Sequence, residues 1–415
     1  MKILVTSDNH LGYSETDPIR GNDSFDTFKE ILGIAADSKV DLVLQGGDLF
    51  HYNKPSRNTY NKTLQILQQF QATTPIRILA IHGNHDDPSG FNSVSPMDVM
   101  HSSGLLEYIG RNKACDGIEI EPIQLGSVAL YALGYVKDAK LFRMLETNKI
   151  YYNNLCNNNY NILMLHQNRA YKEGMYVPLE HIPSEFDLVI FGHEHLSEKV
   201  TGKHFEIIQV GSSVRTSLCL DERGDKYAYL VELEGKSARI TRQKLKSVRP
   251  FYMDSMRLDE DDFKRKLARF VEISLMEMDS KRENEMAPLL RLRVECPNGC
   301  KFERLELDKL VEGRIANVGD YLKLTKKNQK KDHHVEVKKV KACSFEELFH
   351  GILRKMELRV LGENELRDAL VKSVKKGDKR AFADQIAKCA DEIVDGVKLD
   401  EIGAEELESI IKRAI

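Results

Sequence analysis

The sequence predicts an α/β protein whose core is two packed sheets with helices on their outer faces. Short β-branched runs alternate with segments of helical spacing from residue 1 to about residue 210. Several of these runs stop at Asp, Asn or His, and residues 204–246 have the pattern of mostly consecutive strands. Strands separated by helices need crossover connections, and such connections place helices on the faces of a sheet.

Five apolar runs in the first half of the chain end in polar residues, and we predict that each is a buried strand. Run 3–5 leads to Asp8 and His10, run 41–44 to Asp48 and His51, run 77–81 to Asn84 and His85, run 161–165 to His166, and run 187–191 to His193 and His195. Groups at strand ends converge at the carboxyl edge of an α/β sheet, so we expect one site. On an extended chain residues i and i+2 point the same way, so Asp8 with His10, and His193 with His195, could each present two groups to one side.

The helices between these runs are predicted from caps and apolar spacing. They run from Phe25 to Ser38 with a cap at 22–24, from Ser56 through Phe70, and onward from Ser95, where Pro96 occupies a first-turn position. The apolar residues of the first helix recur on one face, which indicates that this face packs on a sheet.

The 415 residues exceed one ordinary domain, and we expect four segments. These are a core at 1–246, a small α+β domain at 247–325, a lysine-rich linker at 326–343 and a helical segment at 344–415. The α+β domain is predicted from a charged helix near 259–282 and one strand over 289–295, followed by a mixed segment.

The end of the chain leaves two interpretations open. Eight lysines and two acids lie between Tyr321 and Lys341, which fits either a solvated linker or a strip that contacts phosphates. Ser344 then begins a capping box, followed by an apolar stripe made of Leu348, Phe349, Ile352 and Leu353. This stripe could pack within its own segment or dock on another chain.

Composition excludes several classes of protein. No apolar run approaches the ~20 residues of a membrane span, and no signal segment precedes the first strand, so we expect an intracellular protein without a membrane partner. The seven cysteines are scattered and odd in number, which favours a reducing compartment. The net charge of -3 gives no overall attraction to nucleic acid, so such contacts would be local.

The residue types at the strand ends favour metal chemistry. Carboxylate, imidazole and amide donors without thiolates suit manganese, iron or zinc, whereas calcium and magnesium prefer oxygen alone. A lone histidine would more often be a hydrogen-bonded core residue, but six of the 13 histidines stand at strand ends. The seven candidate ligands are Asp8, His10, Asp48, Asn84, His166, His193 and His195. They could hold two metals ~4 Å apart if a carboxylate is shared, which suits displacement at a phosphoester.

These motifs resemble those of the calcineurin-like metallophosphoesterase superfamily. They are Asp8-Asn-His10, Gly47-Asp48, Gly83-Asn-His-Asp86, His166 and Gly192-His-Glu-His195. Further stretches resemble the eukaryotic branch of the meiotic recombination eleven family of double-strand-break repair nucleases. They are Leu11-Gly-Tyr13, Arg20 to Phe25, Asn53-Lys-Pro-Ser-Arg57, His166-Gln-Asn-Arg169 and Gly211-Ser-Ser-Val214. The resemblance implies a four-layer α/β/β/α metallophosphoesterase core with a small capping, DNA-binding domain.

The resemblance also implies a site and a reaction. Its enzymes hydrolyse DNA phosphodiesters with two Mn²⁺ per chain, as 3′-to-5′ exonucleases and as endonucleases on single strands and hairpins. By position, one ion would be held by Asp8, His10, Asp48 and His195, and the other by Asp48, Asn84, His166 and His193. His85 would assist departure of the leaving oxygen, and His51 would orient ligands or substrate.

The partners implied by the resemblance are DNA ends, a second copy of the chain and a coiled-coil ABC-type ATPase subunit, in the nucleus. Helices near 56–70 and 95–105 would form the homodimer, and the apolar stripe after Ser344 would bind the ATPase. Tyr13, Arg20, Lys54 and Arg57 are the candidate DNA contacts.

The connection at 71–75 departs from the family pattern, because eukaryotic relatives carry there a long insertion that latches the dimer and engages a third, forkhead-associated subunit. We therefore do not expect that contact.

Two other classes of protein share part of this pattern. Protein phosphatases of this superfamily place Asp-Arg-Gly shortly after the shared Asp, whereas Asp48 is followed by Leu-Phe-His. A non-catalytic scaffold that tethers DNA ends would show a broken ligand set, and none of the seven candidates is missing. Both features favour a catalytic nuclease.

Overall fold

The structure is a computed structural model that describes residues 1–89, 93–111, 117–171, 173–258, 262–281, 284–296 and 304–326. The predicted tail with Leu348, Phe349, Ile352 and Leu353, and the predicted linker beyond its first residue, lie outside the described residues. No helix in the described ranges is long and apolar enough to cross a membrane.

The described residues form seventeen strands and six α-helices. The strands are β1 (Lys2–Thr6), β2 (Leu42–Gln45), β3 (Arg77–Ala80), β4 (Glu107–Tyr108), β5 (Ile118–Ile120), β6 (Ile123–Leu125), β7 (Val128–Leu133), β8 (Ile150–Tyr152), β9 (Tyr160–His166), β10 (Leu188–Gly192), β11 (Glu198–Thr201), β12 (Glu206–Gln209), β13 (Tyr227–Glu234), β14 (Ser237–Lys244), β15 (Phe251–Arg257), β16 (Leu289–Cys296) and β17 (Leu322–Lys326). The helices are α1 (Asp23–Asp37), α2 (Arg57–Thr73), α3 (Pro96–Ser102), α4 (Asp138–Glu146), α5 (Phe263–Ser280) and α6 (Arg304–Val311).

Two six-stranded sheets form the core. The first has the order β14-β13-β1-β2-β3-β4, with β1 to β4 parallel and β13 antiparallel to β1. The second has the order β11-β12-β10-β9-β7-β6, in which the four central strands are parallel. Parallel strands buried on both faces have continuous apolar runs, which explains why β1, β2, β3, β9 and β10 were visible in the sequence.

The two sheets pack face to face, with helices outside each. Val5 and Leu44 of the first sheet share a cluster with Leu130 and Met164 of the second. Helices α1, α2 and α3 cover the outer face of the first sheet, and α4 covers that of the second. Apolar contacts therefore lie between the two sheets and on the outer face of each. Burial of one such aliphatic side chain contributes about 1.5–3 kcal/mol, and these contacts together hold the sheets in place. The predicted α/β class with two packed sheets is confirmed.

The helix caps agree with the prediction at two sites and differ at one. Ser56 accepts from the backbone N–H of Thr59 at 3.0 Å, and Ser95 forms the capping box of α3. Asn22 stands at the N-cap of α1 but makes no capping hydrogen bond, because its amide oxygen accepts from Lys62 at 2.8 Å.

A third sheet lies between residues 251 and 326, with the order β15-β16-β17 and all strands parallel. Helices α5 and α6 pack on one of its faces. The sequence predicted only the middle strand. β15 was missed because Asp254 and Ser255 interrupt its apolar pattern, and β17 because it lies at the start of the lysine-rich run and extends one residue into the predicted linker. Both are edge strands that are completed by hydrogen bonds to β16.

Candidate metal centre

The predicted ligands follow the carboxyl ends of five strands, but these strands do not belong to one sheet. β1, β2 and β3 of the first sheet lead to Asp8, Asp48 and Asn84, whereas β9 and β10 of the second lead to His166 and His193. The expectation of a single sheet edge was therefore wrong. The crevice lies where the carboxyl ends of the two facing sheets meet.

The backbone at several ligands is turned and not extended. Asp8, His10, Asp48 and His193 have φ values of 50°, 46°, 53° and 88°. Residues other than glycine seldom adopt this left-handed region, and such conformations cluster at functional sites. The prediction that Asp8 and His10 lie on extended chain was therefore wrong, although the turn still brings both side chains to the centre.

Glycines allow the ligand loops to approach each other. A Cβ on Gly83 would lie 2.0 Å from Oδ1 of Asp48. A Cβ on Gly47, whose φ is +98°, would lie 2.3 Å from Nδ1 of His166. These positions have no room for any side chain, because real Cβ atoms stay farther than about 3 Å from such neighbours.

One half of the centre consists of Asp8, His10 and His195, whose ligand atoms lie within 4.8 Å of one another. Nε2 of His10 is 3.1 Å from Nε2 of His195, and the latter is 4.0 Å from Oδ1 of Asp8. Two imidazole nitrogens at this separation need a shared proton or a cation between their lone pairs. The geometry of this half therefore fits a metal ion.

The other half is built from Asp48, Asn84, His166 and His193. Oδ1 of Asn84 lies 2.8 Å from Nδ1 of His193 and 3.2 Å from Nε2 of His166. Nε2 of His166 is 3.4 Å from Oδ2 of Asp48. Asp8, Asp48 and His166 also form a group within 4.8 Å, so the two halves are contiguous.

Hydrogen bonds from neighbouring backbone and side-chain groups orient these ligand side chains. Nδ1 of His166 donates to the backbone oxygen of Gly46 at 2.8 Å, which turns Nε2 toward the centre. The carboxylate of Asp8 accepts from the backbone N–H of His193 at 3.1 Å and from the hydroxyl of Ser7 at 2.5 Å. The donor set of nitrogen and oxygen without thiolate, aimed inward in this way, fits a divalent transition metal.

The charges of the centre depend on one another. Burial raises the pKa of the Asp8 carboxyl. Burial acts in the same direction on Asp48, but the charge of His166 and their hydrogen bond outweigh it and hold the pKa of Asp48 below its ordinary value. Burial lowers the pKa of His193 to about 3, whereas Asp48 and Asp8 overcome burial at His166 and raise its pKa to about 9.

Comparisons with known proteins show which family the chain resembles. A calcineurin-like phosphoesterase model matches residues 1–197, and an Mre11 DNA-binding presumed domain matches residues 238–373. The double-strand break repair protein MRE11 of Encephalitozoon cuniculi (strain GB-M1) is 34% identical over 479 residues, with 100% of this chain and 84% of the relative covered. This chain belongs to the MRE11 family.

Other members of the MRE11 family are similar over much of the chain. The Coprinopsis cinerea protein is 32% identical, with 100% of this chain and 70% of the relative covered. The Homo sapiens protein is 32% identical, with 80% of this chain and 56% of the relative covered. The predicted family is confirmed, and so is the prediction of a metal-dependent phosphoesterase.

Two further histidines of this MRE11 family member lie beside the centre. Nδ1 of His85 donates to the backbone oxygen of His51 at 2.7 Å, and the two rings stack with centroids 5.0 Å apart. The backbone N–H of His85 donates to Oδ1 of Asp48 at 2.8 Å. Nδ1 of His51 is 3.3 Å from Nδ1 of His10, and burial together with the charge of His85 lowers the pKa of His51 to about 4. One nitrogen of each of His10, His51 and His85 lies within 4.8 Å of the others. Distances between side chains therefore do not distinguish the predicted metal ligand His10 from the neighbouring His51 and His85.

The four predicted DNA contacts divide into two pairs. The hydroxyl of Tyr13 donates to the backbone oxygen of Thr216 at 2.8 Å, and its ring lies 4.9 Å from that of His51. The guanidinium of Arg20 lies over the Tyr13 ring at 5.1 Å. Lys54 and Arg57 are exposed. The first pair therefore borders the centre, and the second is open to solvent.

Glu222 and Lys226 were not predicted from the sequence. Glu222 is fully buried, and its Oε1 lies 2.9 Å from Nδ1 of His195. Lys226 is also buried and forms an ion pair with Glu222. Because Glu222 stands between Asp221 and Arg223, its segment has the charge pattern of a solvated loop, and no local signal could have identified it.

Proposed function

We propose that this chain is the manganese-dependent DNA nuclease of a double-strand-break repair complex, with 3′-to-5′ exonuclease activity and endonuclease activity on single strands and hairpins. The observation that carries the proposal is the convergence of two buried carboxylates, four histidines and an asparagine at the meeting edge of the two sheets. The phosphoesterase and Mre11 DNA-binding matches support the same reaction on a nucleic acid.

Two Mn²⁺ ions per chain are the proposed cofactors. Asp8, His10, Asp48 and His195 would hold one ion, and Asp48, Asn84, His166 and His193 the other. When bound, two such ions supply positive charge to the attacking and leaving oxygens of a phosphodiester. The central location of Asp48, whose Oδ2 is 3.4 Å from His166 and 3.9 Å from His10, supports its role as the shared ligand.

His85 is the proposed group that assists the leaving 3′-oxygen. Its Nδ1 is held by the His51 carbonyl, so Nε2 is the nitrogen available to hold a proton for that oxygen. His51 stacks on His85 and is proposed to orient it. The proposed DNA contacts are Tyr13, Arg20, Lys54 and Arg57. Exposed basic residues of α5, the helix that packs on the third sheet, would add positive charge for the DNA phosphates; they are Lys264, Lys266 and Arg269.

The proposed partners follow the family. A second copy would pack on α2 and α3, where Val99 of α3 is 43% exposed and Val94, two residues before α3, is 53% exposed. A coiled-coil ABC-type ATPase would bind the tail, and the complex would act in the nucleus. Only residues 74–76 separate α2 from β3. This short connection supports the proposal that the chain lacks the insertion through which relatives engage the forkhead-associated subunit.

The test is cleavage of hairpin and blunt-ended DNA by the full chain with manganese, magnesium or zinc, with and without the ATPase. We expect manganese to support cutting of both substrates and Asp48→Ala to abolish it. Asp87→Asn, in the neighbouring loop and outside the proposed ligand set, should cut normally. Absence of cleavage under all metals, or hydrolysis of phosphopeptides but not DNA, would overturn the proposal.

A further inference from the structure

A buried carboxylate stands directly behind one of the proposed ligands. Oε1 of Glu222 lies 2.9 Å from Nδ1 of His195, while Nε2 of the same ring faces His10 and Asp8. The backbone N–H of Thr216 donates to the same Oε1 at 3.1 Å. Glu222 therefore contacts the edge of the ring that points away from the centre.

Lys226 contacts both Glu222 and His195. Its ammonium forms an ion pair with Oε2 of Glu222 and donates to the backbone oxygen of His195 at 3.0 Å and to the hydroxyl of Ser212 at 2.8 Å. The Lys226 and Glu222 side chains are 2% and 0% exposed. Taking two charges out of water is expensive, so a pair this deeply buried needs the compensation that these additional hydrogen bonds supply.

The backbone of Glu222 is also fixed. The guanidinium of Arg215 donates to the carbonyl oxygen of Glu222 and, at 3.0 Å, to that of Gly224. Its Nε donates to the backbone oxygen of Arg249 at 2.7 Å. With both its carboxylate and its backbone held, Glu222 has little freedom to move away from His195.

We propose that Glu222 is the positioning residue of His195 and that Lys226 holds its carboxylate in place. By accepting the Nδ1 proton, the carboxylate fixes the tautomer in which the Nε2 lone pair faces the centre. The inference rests on the proposed function, because it takes His195 as a ligand of one of two ions.

The two halves of the centre are supported differently. His166 is oriented by the backbone carbonyl of Gly46, which no substitution of a side chain removes. Nδ1 of His195 contacts the carboxylate of Glu222 at 2.9 Å and the hydroxyl of Thr216 at 3.1 Å, and a substitution of Glu222 removes the nearer, charged partner. Loss of Glu222 should therefore weaken the ion on the His195 side and leave the other ion in place.

The experiment is a manganese titration of the full chain and its variants by electron paramagnetic resonance. In Glu222→Ala we expect one of two ions to bind about 10–100-fold more weakly, with the other unchanged. Lys226→Met should have a similar selective effect. Glu222→Gln should recover part of the affinity, because an amide oxygen can still accept from Nδ1.

The matched control is Asn161→Ala at the start of β9, the end of the strand opposite His166. Asn161 is fully buried and donates to the backbone oxygens of Cys156 and Glu185, so its loss should lower the melting temperature and leave both manganese affinities as in the unchanged chain. If Glu222→Ala fails to fold, Glu222→Gln and Lys226→Met carry the test.

Two results would overturn the inference. One is binding of both ions by the Glu222 variants at the affinity of the unchanged chain, and the other is equal weakening of both ions, which indicates a merely structural role. The proposed function fails separately, if the unchanged chain binds fewer than two ions or does not cut DNA.

Discussion

Oδ2 of Asp48 lies 3.4 Å from Nε2 of His166 and 3.9 Å from Nε2 of His10, so a single buried carboxylate oxygen faces donors from both sheets. His10 follows β1 in the first sheet, and His166 ends β9 in the second. We therefore expect Asp48→Ala to lose both manganese ions or to leave one weakly held, as measured by metal analysis of the purified variant.

The control for this experiment is Asp87→Asn. The Asp87 carboxylate accepts from Ser89 and Asn53, and none of these residues belongs to the proposed ligand set. It should keep two ions. Recovery of two tightly bound ions from Asp48→Ala as well would contradict a shared ligand.

A second prediction concerns His85, which is adjacent to Asn84 but is held by the His51 carbonyl and by its own backbone bond to Asp48. His85→Ser should reduce the rate of DNA cleavage about 10²–10⁴-fold, because a positioned proton donor contributes that much. Manganese content and DNA affinity should stay near those of the unchanged chain. The measurement is a single-turnover cleavage assay at saturating manganese. Rescue of the rate simply by adding more manganese would indicate that His85 supports a ligand and is not a catalytic residue.

A third prediction concerns the pH dependence of stability in the metal-free protein. Burial lowers the pKa of His82 from its ordinary value of 6.5 to about 4. Its Nδ1 lies 2.8 Å from the Tyr108 hydroxyl. The fold holds this imidazole neutral, so below pH 6.5 the unfolded chain binds the additional proton. The free energy of unfolding should therefore fall as the pH drops from about 6.5 to about 4, by on the order of 3 kcal/mol for this group.

Urea unfolding at about pH 7.5 and about pH 5 would measure the part of this loss that falls above pH 5. His82→Gln should make the pH dependence shallower, although His51 and His193 keep part of it because burial lowers the pKa of both. The exposed His204, changed to Gln, should leave the dependence unaltered. Identical slopes for His82→Gln and the unchanged chain would reject the assignment.

A fourth prediction concerns the exposed pair Lys54 and Arg57, which follow His51 in the chain. If they contact phosphates, each change to Ala should weaken DNA binding for all sequences alike and reduce the slope of log affinity against log salt by about 1. Lys236→Ala is the control, because Lys236 pairs with Asp187 at the opposite end of β10 from the centre. A salt slope unchanged in both variants would exclude these residues from the interface.

A fifth prediction concerns the tail outside the described residues. Because Leu348, Phe349, Ile352 and Leu353 recur at helical spacing, replacing Leu348 and Leu353 by Asp should abolish co-purification with the ATPase and leave cleavage of short DNA intact. Glu346→Gln, which removes charge without altering the stripe, should retain the ATPase. Continued capture of the ATPase by the Asp variant would show that another surface binds it.

The sequence was sufficient to identify the central strands and the chemistry at their ends. β1, β2, β3, β9 and β10 are buried on both faces, so their apolar runs are continuous, and the Gly, Asp and His that follow them are distinctive. The caps at Ser56 and Ser95 were also visible, because capping is a local hydrogen bond within a few residues. β7 and α4 were missed, although β7 is an apolar run that is buried at all six positions.

The tertiary structure decided which strands share a sheet and what lies behind the ligands. Strand pairing depends on partners distant in the chain, so the division of the five ligand strands between two sheets is not encoded in any one run. The turned backbone at Asp8 depends on the loop from β2, since its N–H donates to Gly47. Glu222 has the local pattern of a solvated acid, and its burial follows only from the meeting of His195, Thr216 and Lys226. A charge can be held away from water only when its partners arrive from other segments, and that arrangement exists only in the folded chain.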